Sequence, residues 1–229
     1  MDSFKQLVLQ WLKEKTEKEE PLEVISFYNE MPVRVKIKPL SIENFKVVGW
    51  KGNPKILPAI DQTQKFFISF FHPEYRENRI LSAGVLYYNN DYIETTFPSL
   101  TIEPKFNRTA VRITVSEFKP VYVDIKAEGV TLSTKVADIS EGGIGVFLDK
   151  GVLKLGEDVI LTLKFPDGVV ISNVPAKVVR IELVPGNKKE EKAGLAFVSL
   201  KERYRNVISK YIIQRQKEII AEFKMLTDE

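Results

Sequence analysis

The place where the hydrophobic period changes constrains this chain more than any other feature. From residue 22 to about 199 apolar and polar residues tend to alternate, while on both flanks the apolar residues recur at helical spacing. Val33, Val35 and Ile37 alternate with Arg34, Lys36 and Lys38, which predicts a half-buried strand. Further strands are expected at 22–28, 43–50, 64–71, 79–88 and 92–97, with turns at Lys51-Gly52-Asn53-Pro54 and Asn89-Asn90-Asp91. A second set is expected at 110–116, 120–127, 131–138, 144–149, 158–165, 169–184 and 193–199. Pro166-Asp167-Gly168 predicts a tight hairpin turn, and Pro185-Gly186-Asn187 followed by KKEEK predicts a longer, solvated loop.

The flanks read differently. Phe4, Leu7, Val8, Trp11 and Leu12 predict an amphipathic helix over residues 1–19, ended by Pro21. Its apolar stripe is expected to dock on the rest of the protein or on a second copy. Ser199 and Glu202 fit a capping box, and the stripe Tyr204, Val207, Ile208, Tyr211, Ile212, Ile219, Ile220 and Phe223 predicts a helix through about residue 226. The expected fold is therefore mainly β: two small antiparallel β-barrels with an N-terminal helix and a long C-terminal helix. Residues 1–97 form the first expected domain, the proline-bearing stretch 98–107 a linker, and residues 108–229 the second domain. Phe66, Phe67, Phe70 and Phe71 read as core, because no basic residues interleave with them as a nucleic-acid platform requires.

Composition excludes several functions. The chain has no cysteine, which removes disulfides, thiolate metal sites and thiol catalysis. Its 34 basic and 31 acidic residues leave a net charge of +3, too balanced for DNA or RNA binding driven by bulk charge. No run of apolar residues is long enough to insert in a membrane, so a cytoplasmic protein is expected. The sole histidine, His72, stands in a loop-like His-Pro-Glu context and reads as structural. With no P-loop, dinucleotide fingerprint or catalytic carboxylate pair, the chain is expected not to be an enzyme and to hold neither metal nor cofactor.

Two motifs carry recognisable chemistry. In Arg108-Thr109-Ala110-Val111-Arg112 the spacing of four puts both arginines on one side of the chain. Each guanidinium can grip a phosphate bidentately, take O6 and N7 of a guanine, or stack on a base. A surface ion pair is the plainer use. In Asp138-Ile139-Ser140-Glu141-Gly142-Gly143-Ile144-Gly145 a strand runs into a glycine-rich turn. Asp138 and Ser140 share a face, and Gly142 and Gly143 are expected to allow positive φ and a close backbone approach. A carboxylate repels phosphate, so Asp138 would face the N1 and N2 donors of guanine or hold an arginine in place. An ordinary Asx turn is the plainer reading.

Taken together, R-x-x-x-R, a gap of about 25 residues and D-x-S-x-x-G resemble the signature of the PilZ family of cyclic di-GMP receptors. Gly194-Leu195-Ala196-Phe197 and the helix segment Tyr211-Ile212-Ile213-Gln214-Arg215-Gln216 extend the resemblance over roughly residues 104–226. It implies a six-stranded barrel whose mouth is covered by the arginine segment. It implies that Arg108 and Arg112 contact guanine edges and phosphates, that Asp138 and Ser140 contact guanine, and that Gly142 and Gly143 form the turn. Many members carry another arginine directly before the pair; here Asn107 stands there. Residues 20–97 resemble the N-terminal split barrel of YcgR-type proteins by position and strand pattern. The resemblance implies a two-domain switch, monomeric or homodimeric, in which cyclic di-GMP at the linker repositions the domains to regulate a protein target. An adaptor acting without nucleotide is the alternative.

Overall fold

The structure, a computed structural model, describes residues 3–43, 45–108 and 110–227. The chain divides into two compact units, residues 1–108 with 221–229, and residues 109–220.

The first unit is an antiparallel sheet backed by helices. Along the sheet the order is β2 (Met31–Ile37), β1 (Leu22–Tyr28), β5 (Lys65–His72), β6 (Glu77–Tyr88), β7 (Tyr92–Thr96), β4 (Val47–Lys51) and β3 (Pro39–Glu43), with the short β8 (Ser99–Leu100) on β6. The path ends at β2 and β3, so this sheet is a half-barrel. Helix α1 (Ser3–Glu17) lays its stripe on the unit's own core: Val8 and Leu12 are buried, and Phe4 and Trp11 meet the ring of Phe70 edge-on at 5.8 and 5.1 Å. Phe66, Ile68 and Phe70 join that core with Trp50, whereas Phe67 packs on the opposite face of β5. The aromatic run is core with one correction: Phe71 is 57% exposed. His72 is buried, stacks on Phe4 and accepts a hydrogen bond from the Tyr75 N–H at Nδ1.

A helix that the period-two pattern hid occupies the stretch after β4. Asn53 caps a 3₁₀ turn (Pro54–Ile56) that runs into α2 (Leu57–Thr63), where Ala59 and Ile60 are buried. Seven residues are too few for a helical stripe to stand out from the surrounding alternation.

Residues 98–107 are not structureless. After β8 a second 3₁₀ turn (Pro104–Asn107), capped by the Glu103 side chain, sets Phe106 edge-on against Phe27 and Phe67. Apolar burial of this kind, about 25 cal/mol per Å², ties the segment to the first unit.

The second unit is a closed antiparallel barrel. Its ring runs β10 (Tyr122–Ala127), β13 (Asp158–Lys164), β14 (Val170–Val184), β15 (Asn187–Phe197), β12 (Gly143–Asp149) and β11 (Val130–Ser140), closed by β10 on β11. A short strand, β9 (Arg112–Thr114), adds to the far end of β11. Ile113, Ile139, Ile144, Leu195 and Val178 stand opposite one another in successive strands and are all buried, forming one layer of the barrel core. Pro166-Asp167-Gly168 makes the tight turn between β13 and β14, with Gly168 at φ +84. The stretch KKEEK is strand rather than loop: β15 begins at Asn187, and Gly186 at φ +81 closes the hairpin. Helix α3 (Glu202–Thr227) starts at Glu202, so Ser199 stands before the helix and not at its cap.

Candidate functional site

The site grows out of a bulge. The pairing of β11 with β12 slips between Val136 and Asp138. Val136 lies opposite Val146 on the core side; beyond the slip Asp138 lies opposite Gly145 on the outer side, and Ile139 returns to the core. The extra residue, Ala137, thus turns a carboxylate out of the barrel interior. Register then lines up two rows on the outer face. Thr114, Asp138, Gly145, Gly194 and Arg180 form one, and Arg112, Ser140, Gly143, Ala196 and Lys177 form the next.

Asp138 is the centre. It is only 2% exposed, although it stands on the outer face, because cations cover it. Arg112 Nη1 donates to Oδ1 at 2.9 Å, and Lys192 Nζ lies 2.5 Å from Oδ2. The lysine contact lacks hydrogen-bond geometry and is an electrostatic one, which leaves Oδ2 without a donor. Arg112 Nε is also buried and unpaired. A buried carboxylate needs such charged partners to offset its desolvation. Two cations on one carboxylate leave a local excess of positive charge; Arg180, which lies across Gly194 in the same row, is itself paired with Glu182 at 3.5 Å. Lys192 also stands over the ring of Phe147, 5.5 Å from its centroid.

The glycines make room for this arrangement. A Cβ on Gly145 would come within 2.5 Å of Asp138 Oδ2, so only glycine lets the carboxylate lie flat there. A Cβ on Gly143 would overlap the Leu195 carbonyl of β15. Neither Gly142 nor Gly143 adopts positive φ, which corrects the expectation from sequence: the demand is for space at Gly143, and Gly142 is an exposed turn residue. Ser140 is buried and donates to the Gly143 carbonyl at 3.3 Å, closing the Glu141-Gly142 turn.

Arg108 has a different partner. Asn29 and Glu30 form the two-residue turn between β1 and β2, with φ of +48 and +69, and Glu30 holds a left-handed position where glycine is usual. Arg108 Nη1 donates to Glu30 Oε2 at 2.5 Å and Lys105 Nζ to Oε1 at 2.9 Å. Arg112 and Arg108 are thus engaged by separate carboxylates, Asp138 in the second unit and Glu30 in the first. The side chain of Asn107 and the whole of Thr109 lie outside the described residues.

Burial alone would raise the Glu30 pKa, but hydrogen bonds from Arg108 and Lys105 outweigh it and bring it down to about 2, against 4.5 ordinarily. A carboxylate with a depressed folded pKa contributes stability that is fully present above 4.5 and is lost as pH falls through 2. Urea unfolding of the wild type should therefore lose on the order of 3 kcal/mol more than Glu30→Gln across that window. Equal pH dependence of the two proteins would show that the ion pairs do not persist in solution.

Among the described residues no group of three His, Cys, Asp or Glu side chains is placed to hold a metal ion. No helix among them is long and apolar enough to cross a membrane. Lys192 and Arg180 were not among the site residues expected from sequence. Lys192 falls in the KKEEK stretch that reads as loop, and no signal short of the cross-strand register reveals it.

The second unit is thus a closed small barrel that carries cations and a buried carboxylate on a glycine-floored outer patch. Residues 106–214 match the model of the PilZ domain family, and the second unit is a PilZ domain. Across 218 residues the chain is 27% identical to an uncharacterized protein of Aquifex aeolicus, covering 90% of this chain and 92% of that one. Among solved structures it is similar to the complex of MrkH from K. pneumonia with c-di-GMP: 12% identity, 95% of this chain and 96% of that one, TM-score 0.53. It is also similar to YcgR of Escherichia coli in complex with c-di-GMP: 15% identity, 97% and 95% coverage, TM-score 0.49. At such identity the likeness to MrkH speaks for the fold.

Proposed function

We propose that this protein is a receptor for cyclic di-GMP. The observation that carries the reading is Asp138, a buried carboxylate set between Arg112 and Lys192 on the outer face of a PilZ barrel, beside an unpaired guanidinium N–H. Guanine offers N1–H and N2–H to a carboxylate, and O6, N7 and the ring phosphates to an arginine. One ligand thus answers both signs of charge at once. A plain anion such as sulfate would meet only the cations. The role is that of a binding protein, with no catalytic step assigned to any residue.

Glu30 supplies the switch in this reading. It holds Arg108 and Lys105, and a phosphate offered to Arg108 competes with it. Ligand then exchanges one anion for another on the segment joining the units, and their placement changes. The consequence is delivered to a protein target of motility, pilus or exopolysaccharide machinery.

Isothermal calorimetry with cyclic di-GMP tests the reading. Wild type should bind, and Glu30→Gln should bind about fivefold more tightly because Arg108 is released beforehand. No binding by the wild type at concentrations on the order of tens of micromolar would overturn it and favour a PilZ adaptor that works through protein contacts alone.

A further inference from the structure

Helix α3 reaches both segments that carry the signature. Ser209 Oγ donates to Glu141 Oε1 at 2.6 Å and so holds the turn between β11 and β12. Further along, Arg215 is 6% exposed, a guanidinium taken almost wholly out of water. Its Nε donates to the Thr114 carbonyl at 3.2 Å and its Nη1 to Glu218 Oε2 at 3.3 Å. Glu218 in turn accepts from Lys119 Nζ at 3.2 Å.

The target of Arg215 is informative. β9 is three residues long and ends the sheet, so it has one strand neighbour, β11. The Val115 N–H donates to the Ala137 carbonyl at 3.0 Å, which makes Val115 and Ala137 a hydrogen-bonded pair. Thr114 and Asp138 are then a non-bonded pair, and the Thr114 carbonyl points away from β11. Arg215 takes that outward carbonyl, two residues from Arg112. A three-residue edge strand frays readily, and a charge-assisted hydrogen bond on its free side is what keeps Arg112 in register with Ser140 and its guanidinium on Asp138.

We infer that Arg215 is a positioning residue for the ligand site: it clamps β9 from the free edge so that Arg112 meets the ligand preformed. The inference rests on the proposed receptor function for its ligand but not for its geometry. It gives the buried cation of α3 a reason to exist, since a buried guanidinium is retained at a cost in desolvation that hydrophobic packing would not incur.

Two readouts on Arg215→Met test it. Amide hydrogen exchange at Val115 in the ligand-free protein should accelerate about tenfold or more, while exchange at Val146, in the closed part of the barrel, stays unchanged. Affinity for cyclic di-GMP should fall about tenfold or more, equivalent to about 1.4 kcal/mol. Arg215→Lys, which keeps the charge and a single donor nitrogen, should recover part of both. Unchanged Val115 exchange in Arg215→Met would overturn the inference, as would an unchanged affinity. If Arg215→Met does not fold, selective acceleration at Val115 in Arg215→Lys supports the clamp and its absence overturns it. Wild-type protein that fails to bind cyclic di-GMP would sink the receptor reading while the exchange readout still judges the clamp.

Discussion

Replacing Gly143 with alanine is expected to cost the second unit about 3 kcal/mol or more, whereas the same change at Gly142 should stay within about 0.5 kcal/mol. The two glycines are neighbours in one motif, yet their surroundings differ. A Cβ at Gly143 would overlap the Leu195 carbonyl and press on the Ala196 Cα, both backbone, at the point where β12 pairs with β15. Backbone cannot rotate away as a side chain can, so the two strands must part and their ladder must weaken. At Gly142 the nearest atom to a new Cβ is Ser140 Oγ at 3.9 Å, and φ lies in the region open to any residue. Thermal unfolding followed by circular dichroism checks both, with a fall in Tm of about 10 °C expected for Gly143→Ala alone. Equal effects at the two positions would mean that the β12–β15 approach is wider than described.

Arg112→Ala should weaken cyclic di-GMP binding by about 3 kcal/mol, more than a hundredfold, and more than Arg108→Ala does. Arg112 is already oriented: Asp138 holds one end of its fork, and the Nε–H is buried without a partner. Ligand gains charge-assisted hydrogen bonds there at little ordering cost. Removing the arginine also leaves Asp138 with Lys192 as its one remaining cation. Arg108 must first leave Glu30, so part of what it gives the ligand is offset by the pair it loses. Titration calorimetry of the two variants side by side measures the difference. Equal losses would mean that Glu30 does not compete for Arg108.

How much of this was legible beforehand varies with the kind of signal. Strand β1 was readable to the residue at 22–28, a strand-favouring run directly after Pro21 in which every residue but Glu23 is buried. Helix α3 was readable except at its start, where Ser199 imitated a cap. The helix α2 escaped because it is seven residues long, and the first half of β15 escaped because five charged residues look like loop whatever their backbone does. A strand open on both faces can carry charge throughout, as at residues 187–192, none of which is buried, and only the partner strand shows it to be a strand.

The candidate site divides along the same line. Local sequence determined that this chain offers an arginine pair, a carboxylate and a glycine turn in PilZ order, since those depend on residue type and short spacing. Tertiary structure decided what each one touches. The bulge at Ala137 puts Asp138 on the outer face opposite Gly145, and register across β11, β12 and β15 brings in Lys192 from far along the chain. The first unit gives Arg108 its partner in Glu30, 78 residues away. Charge pairing acts over a few ångströms of space and is indifferent to separation along the chain, so residue spacing could name the arginines but not the carboxylates that hold them.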